Sequence, residues 1–363
     1  NGSKTLLVER EFLLGGLATL GLVTIYLPLC DGLGKQVSFG IAEELLRLSV
    51  KHGDEGKSCP EWLGCGSKEK RMKKRFEIQY NPYVFAIGAE QLLKREGADI
   101  IFGTAVCDVI TEKDMIKYLI VENRSGRSAI EVKNVIDTSG DAVICKLSGE
   151  NTCTFKQGNV PAAWCYVTEN GTNNLKMLGF CDIPDSEKTD VQIAQARRSI
   201  RFSGLDADEL TRLTLYSHKT LLDDFLKDGG LSPKRTISTI ASIPQIRMTR
   251  RLDGAYTQDD SEMHKEFYDS VGLFSDWRKA GPVYELPFSA LHGNKIKNLA
   301  AAGRCISVTD AMWDITRVIP VCAVSGEAAG TAAALGNCFG EIDINALQSV
   351  LKNNGVVLHE EQL

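Results

Sequence analysis

Four groups of residues carry chemistry by type and spacing. Glu9 closes a short apolar run, residues 4–8, rich in strand formers. An acid at the tip of such a strand is what a nucleotide-binding βαβ unit uses to accept both hydroxyls of an adenosine ribose, since one carboxylate takes two hydrogen bonds at once. The competing reading is a surface glutamate that merely ends a strand. Arg247, Arg250 and Arg251 form a second group ahead of Tyr256. Guanidinium forks suit carboxylate recognition, while Asp253, Asp259 and Asp260 offer ordinary surface ion pairs instead. Third, His264 and His292 are candidate proton carriers, with a structural or exposed histidine as the alternative for each. Arg317, Trp313 and Asp314 stand just ahead of a run of small residues.

Other chemistries find no support in the spacing. No His-Glu-x-x-His occurs and no Ser-His-Asp arrangement is recognisable. The 11 cysteines include no Cys-x-x-Cys pair, so neither a metal site nor a redox dithiol is expected. Cys107, Cys145, Cys305 and Cys322 sit in apolar runs, where cysteine acts as a small buried hydrophobe. This usage suits a reducing compartment, the cytoplasm. With a net charge of -5 and one cationic run, Lys68 to Arg75, the chain shows a solvated basic face and no nucleic-acid stripe. Residues 12–30 are apolar but broken by Gly15, Gly16, Gly21 and Pro28, so no membrane span is expected.

Positioning these residues takes an alternating framework. The strand at 4–8 leads into a small-residue loop at 12–21 and an amphipathic helix at 37–51, with Ile41, Leu45 and Leu48 at helical spacing. Residues 53–82 are polar and irregular and read as an inserted loop or lid. A helix over 82–96, closed by Gly97, precedes strands at 98–101, 105–112, 116–123 and 129–136, with a hairpin turn at 124–127. From 150 to 293 the character changes, and strands at 163–168 and 235–243 alternate with charged helices at 191–203 and 206–227. Core character returns with a strand at 299–304, a small-residue helix at 320–335 and a tail helix at 345–353. The layout predicts one domain from 1–149 and 294–345, a second inserted at 150–293, and a tail at 346–363.

The stretch Leu6-Leu-Val-Glu-Arg-Glu-Phe-Leu-Leu-Gly-Gly-Leu-Ala-Thr-Leu-Gly-Leu-Val23 resembles the second strand and glycine-pair loop of FAD-dependent oxidoreductases. The relationship is to the glutathione-reductase-like flavoproteins, the fumarate reductase and succinate dehydrogenase branch in particular. It implies Glu9, Arg10, Gly15, Gly16 and Thr19 as cofactor contacts. In that family a strand and a Gly-x-Gly-x-x-Gly turn come just before, and the turn offers N–H groups to the pyrophosphate. The sequence begins where that turn's helix would finish, so about 25 to 30 residues are expected to be missing. Gln91 to Val109 resembles the helix and strand whose backbone, near Val106, pairs with the adenine. Val135-Ile-Asp-Thr-Ser-Gly-Asp-Ala142 resembles the element that approaches the nucleotide, which implies Ser139, Gly140 and Asp141.

The most specific match covers residues 298–307 and 317–334. It resembles the family's C-terminal flavin segment, in which a strand delivers Gly303 and Arg304 beside the ribityl chain. The following helix would aim its N-terminus, with Val321, Cys322 and Ala323, at the flavin's pyrimidine edge. A positive helix end stabilises the charge a reduced flavin carries near N1 and O2. Gly303-Arg304 stands where many two-dinucleotide flavoproteins have Gly-Asp, which points to a subfamily.

The fold class expected is α/β: an FAD/NAD(P)-binding Rossmann-like three-layer domain, lacking its first strand and helix, with an inserted α+β substrate domain. The implied activity is FAD-dependent hydride transfer between flavin N5 and a small anionic substrate, with an unidentified electron partner. Arg317, Arg251, Arg247 and His264 are the catalytic candidates. No metal, nucleic-acid or membrane partner is expected, and the assembly state stays open. The rival reading is a flavin-free remnant with a binding or structural role. A nicotinamide-dependent dehydrogenase is disfavoured because the C-terminal helix segment resembles flavin and not nicotinamide proteins, and the lack of a second Gly-x-Gly-x-x-Gly speaks against a dedicated nicotinamide domain.

Overall fold

The computed structural model describes residues 2–54, 58–64, 66–179, 189 and 200–363. Asn1, Cys65 and most of the helix expected over 191–203 lie outside the described residues. Two compact units result: unit 1 is Asn1–Leu14, Ile25–Cys153 and Arg250–Leu363, and unit 2 is Gly15–Thr24 and Thr154–Thr249.

Two parallel strand pairs mark the α/β core of unit 1. Leu6–Val8 runs parallel to Asp99–Ile101, with Val8 opposite Ile101. Val135–Asp137 runs parallel to Leu299–Ala301, with Ile136 opposite Ala300. Parallel pairing needs a crossover, and the helices Ile41–Val50 and Pro82–Arg95 lie in the chain between the first two strands. Pro82 opens the second helix, and the Asn81 side chain accepts from Tyr83 N and Val84 N, both at 3.1 Å.

A three-stranded antiparallel meander, Ala105–Glu112, Met115–Asn123 and Gly126–Glu131, follows. The single strand expected over 129–136 is therefore two strands, one in the meander and one in the parallel pair. Asn134 lies at the break. Its amide donates to Ala333 O (2.8 Å) and Gly336 O (2.9 Å), the closing carbonyls of the helix Ile319–Leu335. One apolar cluster ties the early and late chain together: Val135, Ala142, Ile144, Cys145, Leu299, Ala301 and Cys305 are buried in it, and Val8 and Val106 pack against it.

The units differ from the domains expected at 250–293, in the tail and at Gly15–Thr24. Residues 250–293 pack in unit 1, where Ser270–Ser275 and Val283–Pro287 pair as buried antiparallel strands. Ser38 Oγ donates to Leu273 O and Ser275 Oγ to Cys30 O, each at 2.9 Å, so these strands are stitched to the early chain. The tail helix Ile344–Asn353 also belongs to unit 1, with Gln348 donating to Tyr268 O (2.9 Å) and Ser270 O (3.0 Å). The segment at 53–82, read as an inserted loop or lid, is tied down at several described residues. Trp62 stacks on Phe76 at 5.1 Å, and Arg75 donates to the carbonyls of Trp277 and Lys279.

Unit 2 is built on an antiparallel sheet in the order Thr172–Gly179, Ala162–Glu169, Arg235–Ile240. The helix Ala207–Lys227, capped by Asp206 accepting from Glu209 N at 2.9 Å, covers one sheet face. Leu221 and Phe225 of that helix pack on Ala163, Cys165 and Val167. The glycine-pair loop Gly15–Thr24 joins this unit through Ser242 N to Leu20 O (3.0 Å), the Thr24 and Tyr166 hydroxyls (2.8 Å), and Gln245 Nε2 to Gly21 O. No single described helix is long and apolar enough to cross a membrane.

Candidate functional site

The parallel strands bring their C-terminal ends to the residues of interest, the edge where open α/β sheets bind ligands. Glu9 follows Leu6–Val8 directly. Its backbone N–H continues the pairing to Ile101 O at 2.9 Å, and its Oε1 accepts from Glu11 N at 2.9 Å. The Arg10 side chain is exposed and paired with Glu11 at 3.0 Å. Val106 lies in the meander opposite Val121 and packs against the shared core.

Asp137, at the end of the second parallel pair, organises the next turn. Buried to 1% exposure, its Oδ1 accepts from Ser139 N (3.0 Å) and Ser139 Oγ (2.6 Å). Its Oδ2 accepts from Ile144 N (2.8 Å) and Cys145 N (3.0 Å), the first turn of the helix Val143–Leu147. A carboxylate at a helix N-terminus is favoured by both the free N–H groups and the dipole. Gly140 has φ +76°, and a Cβ there would sit 2.2 Å from Arg304 Nη2. Arg304 thus lies against this turn, 3.5 Å from Asp141. Only a glycine admits both the backbone conformation and the guanidinium.

Arg304 comes from the turn Gly303–Cys305, which caps the strand Leu299–Ala301. Gly303 has φ +81°, and a Cβ there would meet Cys322 Sγ at 3.6 Å. Its N–H donates to Ser325 Oγ at 2.9 Å, which docks the turn on the first turns of Ile319–Leu335. That helix has no side-chain cap and no acid in its first turn, although Val318, Pro320 and Val321 are buried. A buried, uncapped helix N-terminus is suited to a ligand acceptor or an anion. Burial pushes the Cys322 thiol up to about 11, while the Arg304 and Arg317 charges pull the other way.

The arginines fall into separate environments. Arg317 is buried and binds Asp314, with Nε to Oδ1 at 2.9 Å, and lies 5.7 Å from the Trp277 ring centre. Arg278 Nη1 approaches the other oxygen of Asp314 at 3.6 Å and pairs with buried Asp276 at 2.9 Å. Arg251 stacks 5.5 Å from the Trp313 ring and pairs with Asp310 at 3.6 Å; Trp313 Nε1 donates to Arg304 O at 2.5 Å. The helix Asp310–Thr316 therefore gathers Arg251, Arg304 and Arg317. Arg247 lies in unit 2, as do Gly15, Gly16 and Thr19. His264 is half exposed and bonds Glu360 at 2.8 Å. His292 is buried, held to Gly293 O at 3.1 Å, and burial lowers its pKa.

A family model for FAD dependent oxidoreductases matches residues 1–160 and 275–351. The chain belongs to the FAD dependent oxidoreductases. The matched stretches hold both parallel pairs, the Asp137 turn and the Gly303 turn with its helix, so the Rossmann-like fold and FAD as cofactor go with this membership. Among solved structures, the oxidoreductase is similar to p-nitrophenol 4-monooxygenase PnpA from Pseudomonas putida DLL-E4, at 12% identity and TM-score 0.44 over 98% of this chain and 75% of that one. It is also similar to a geranylgeranyl bacteriochlorophyll reductase-like protein from Thermoplasma acidophilum (13%, TM-score 0.40, 77% of this chain and 61% of that one). A third is aklavinone-11 hydroxylase, solved with FAD and aklavinone (12%, TM-score 0.42, 92% and 58%). No curated protein matches the oxidoreductase in sequence.

The residues present fit the flavin end of FAD. Gly303 leaves its face open apart from ordinary contact with Cys322, and the buried helix end beside it lacks a protein acceptor from a side-chain cap. Residue-by-residue reading of the sequence missed Asp137, Ser325 and the Asp276–Arg278 pair, whose arginine shares Asp314 with Arg317. Asp137 had a signal in Asp137-Thr-Ser139, a spacing at which an aspartate side chain accepts from the backbone two residues on. Asp276 and Asp314 each have a near partner, Arg278 two positions on and Arg317 three positions on, and only the Arg278–Asp314 contact joins distant chain.

Proposed function

We propose that the oxidoreductase binds FAD in unit 1 and moves a hydride between flavin N5 and a small anionic substrate. The observation that supports this best is the buried, uncapped start of the helix Ile319–Leu335 beside the open face of Gly303. Two guanidinium groups, Arg304 and Arg317, act on Cys322 together with an uncapped helix end. When bound, FAD supplies two-electron chemistry at N5 and, once reduced, carries negative charge near N1 and O2. Arg304 and Arg317 hold positive potential against that charge and against an anionic substrate. Asp314 fixes the Arg317 guanidinium, and Ser325 fixes the Gly303 turn. Glu9, at its strand tip, would accept the ribose hydroxyls, and Ser139 and Gly140 shape the neighbouring turn, in which Gly140 leaves room for the Arg304 guanidinium.

The test is direct. The purified chain with added FAD should show bands near roughly 375 and 450 nm after unbound cofactor is removed. Arg317→Met should lower the two-electron midpoint potential of the bound flavin by about 30 mV or more, equivalent to about 1.4 kcal/mol of lost stabilisation of the reduced form. A chain that takes up no FAD supports the flavin-free reading, and an unchanged potential removes Arg317 from the site.

A further inference from the structure

The cationic run Lys68 to Arg75 has no part in the site described above. Taken alone it is a solvated basic face, with Glu69 as its one acid. The fold gives it definite neighbours, all within unit 1. Lys68–Arg71 form one short helical turn, and Gly34 lies against it so closely that a Cβ there would sit 2.8 Å from Met72 Cγ and 3.2 Å from Lys68 O. Gly34 belongs to a tight turn pinned by Asp31, whose Oδ1 accepts from Leu33 N at 2.7 Å and from Lys35 N at 3.0 Å. Leu33 and Lys35 are thereby brought beside Met72 and Lys68.

Two features set this face apart from one that meets only water. Its arginines are turned to the protein and its lysines to solvent. Arg71 donates through Nε to Gly66 O at 2.8 Å and lies 5.3 Å from the Trp62 ring centre, while Arg75 donates to the carbonyls of Trp277 and Lys279. Lys35, Lys68, Lys70 and Lys73 are exposed. Among these lysines stand two apolar side chains, Leu33 at 50% exposure and Met72 at 53%. The pinned turn holds Leu33 outward before any partner arrives, so little ordering remains to be done on binding.

The kind of partner follows from the residue types. Nucleic acids and acidic protein faces are met by arginine forks, and protein interfaces are poor in lysine. Lysine is a point charge on a flexible stem and needs no fixed geometry, which suits a fluid layer of lipid phosphates. Apolar tips able to enter the headgroup region complete the pattern. We infer that this face of unit 1 is a peripheral docking surface for an anionic phospholipid bilayer, with Leu33 and Met72 entering it and Lys35, Lys68, Lys70 and Lys73 lying over its phosphates. Two side chains bury less than one acyl chain does, so the attachment is reversible and needs the lipid charge. It goes beyond the flavin reading and does not depend on it.

The experiment is co-sedimentation of the full chain with vesicles, one set of phosphatidylcholine and phosphatidylglycerol in equal parts, the other of phosphatidylcholine alone. At about 0.1 M salt the chain should bind the mixed vesicles and not the neutral ones. Affinity should drop about tenfold or more at about 1 M, as the screening length falls from about 10 Å to about 3 Å. Lys68→Gln with Lys70→Gln and Lys73→Gln should weaken binding about a hundredfold, or about fivefold for each charge removed. Leu33→Ser with Met72→Ser should weaken it about tenfold or more. The same charge loss outside the patch, Lys94→Gln with Lys113→Gln and Lys133→Gln, should leave binding as it is. All these side chains are exposed, so the variants should keep the wild-type melting temperature; single Leu33→Ser and Lys70→Gln replace any that does not. No binding to mixed vesicles, equal binding to neutral ones, wild-type affinity in either patch variant, or an equal loss in the outside variant overturns the surface. Tighter binding of double-stranded DNA or of polyglutamate through the same lysines also overturns it, and gives the face to a nucleic acid or an acidic protein. FAD uptake is not read here, so failure of the docking surface and failure of the flavin reading are separate outcomes.

Discussion

Replacing Asp137 by Asn probes the turn on which the nucleotide-binding reading depends. In the native chain both carboxylate oxygens are used, Oδ1 by Ser139 N and Oγ, Oδ2 by Ile144 N and Cys145 N. An asparagine keeps one oxygen. Turned toward Ile144 and Cys145, it preserves the helix cap but sets its NH2 against the Ser139 N–H. That orphans one part-buried donor, at about 1 kcal/mol, and removes the ionic character of the two remaining backbone bonds, at about 1 kcal/mol each. Turned the other way, it opposes two helix N–H groups, which is worse. The cost is then about 3 kcal/mol. For a unit of this size about 3 kcal/mol corresponds to a fall in melting temperature of about 6–12 °C, readable by scanning calorimetry. FAD affinity should fall with it, because Gly140, Asp141 and Arg304 lose the support of the turn. A melting temperature within 2 °C of wild type, with FAD affinity unchanged, would refute the assigned role of this carboxylate.

Asn298 is 1% exposed and bridges the meander to the parallel pair, accepting from Ile116 N and donating to Ile116 O and Lys133 O, all at 2.8 Å. Asn298→Asp therefore points a carboxylate oxygen at two carbonyls, and should cost about 3 kcal/mol near neutral pH by urea unfolding. Its loss should shrink as pH falls, because the protonated acid can donate again; a loss independent of pH would contradict the bridging geometry. His292 gives the opposite sign. Burial lowers its pKa, so below its ordinary value near 6.5 the unfolded chain takes a proton that the folded chain resists, and stability falls on acidification. Replacing it by Gln should flatten the stability–pH slope between about 6.5 and 5 by up to about 1.4 kcal/mol per pH unit. An unaltered slope would show that His292 is not buried in its neutral form.

The elements that were legible in the chain share a short-range origin. The helix Pro82–Arg95 is bounded by Asn81, Pro82 and Gly97, each acting within one turn. The helix Ala207–Lys227 begins at Asp206 for the same reason. The glycine, arginine and small-residue pattern at 303–335 was readable because close approach and helix packing demand those side chains at each position. The segment at 250–293 was misplaced by contrast, since nothing local distinguishes a buried antiparallel pair in one unit from the same pair in the other. In the segment at 53–82 the polar composition hid the anchoring role of Arg75, whose partners are carbonyls some 200 positions away.

By itself the sequence determined the family, the FAD cofactor and the order of strands and helices, because these follow from spacing and from side-chain requirements at single positions. Only the tertiary structure decided that Gly15–Thr24 joins the sheet of unit 2, that Arg251 reaches Asp310, and that Arg278 reaches Asp314. Those outcomes depend on which buried polar group finds a partner once distant chain is brought together, and the cost of leaving one unmatched is felt only where water has been excluded.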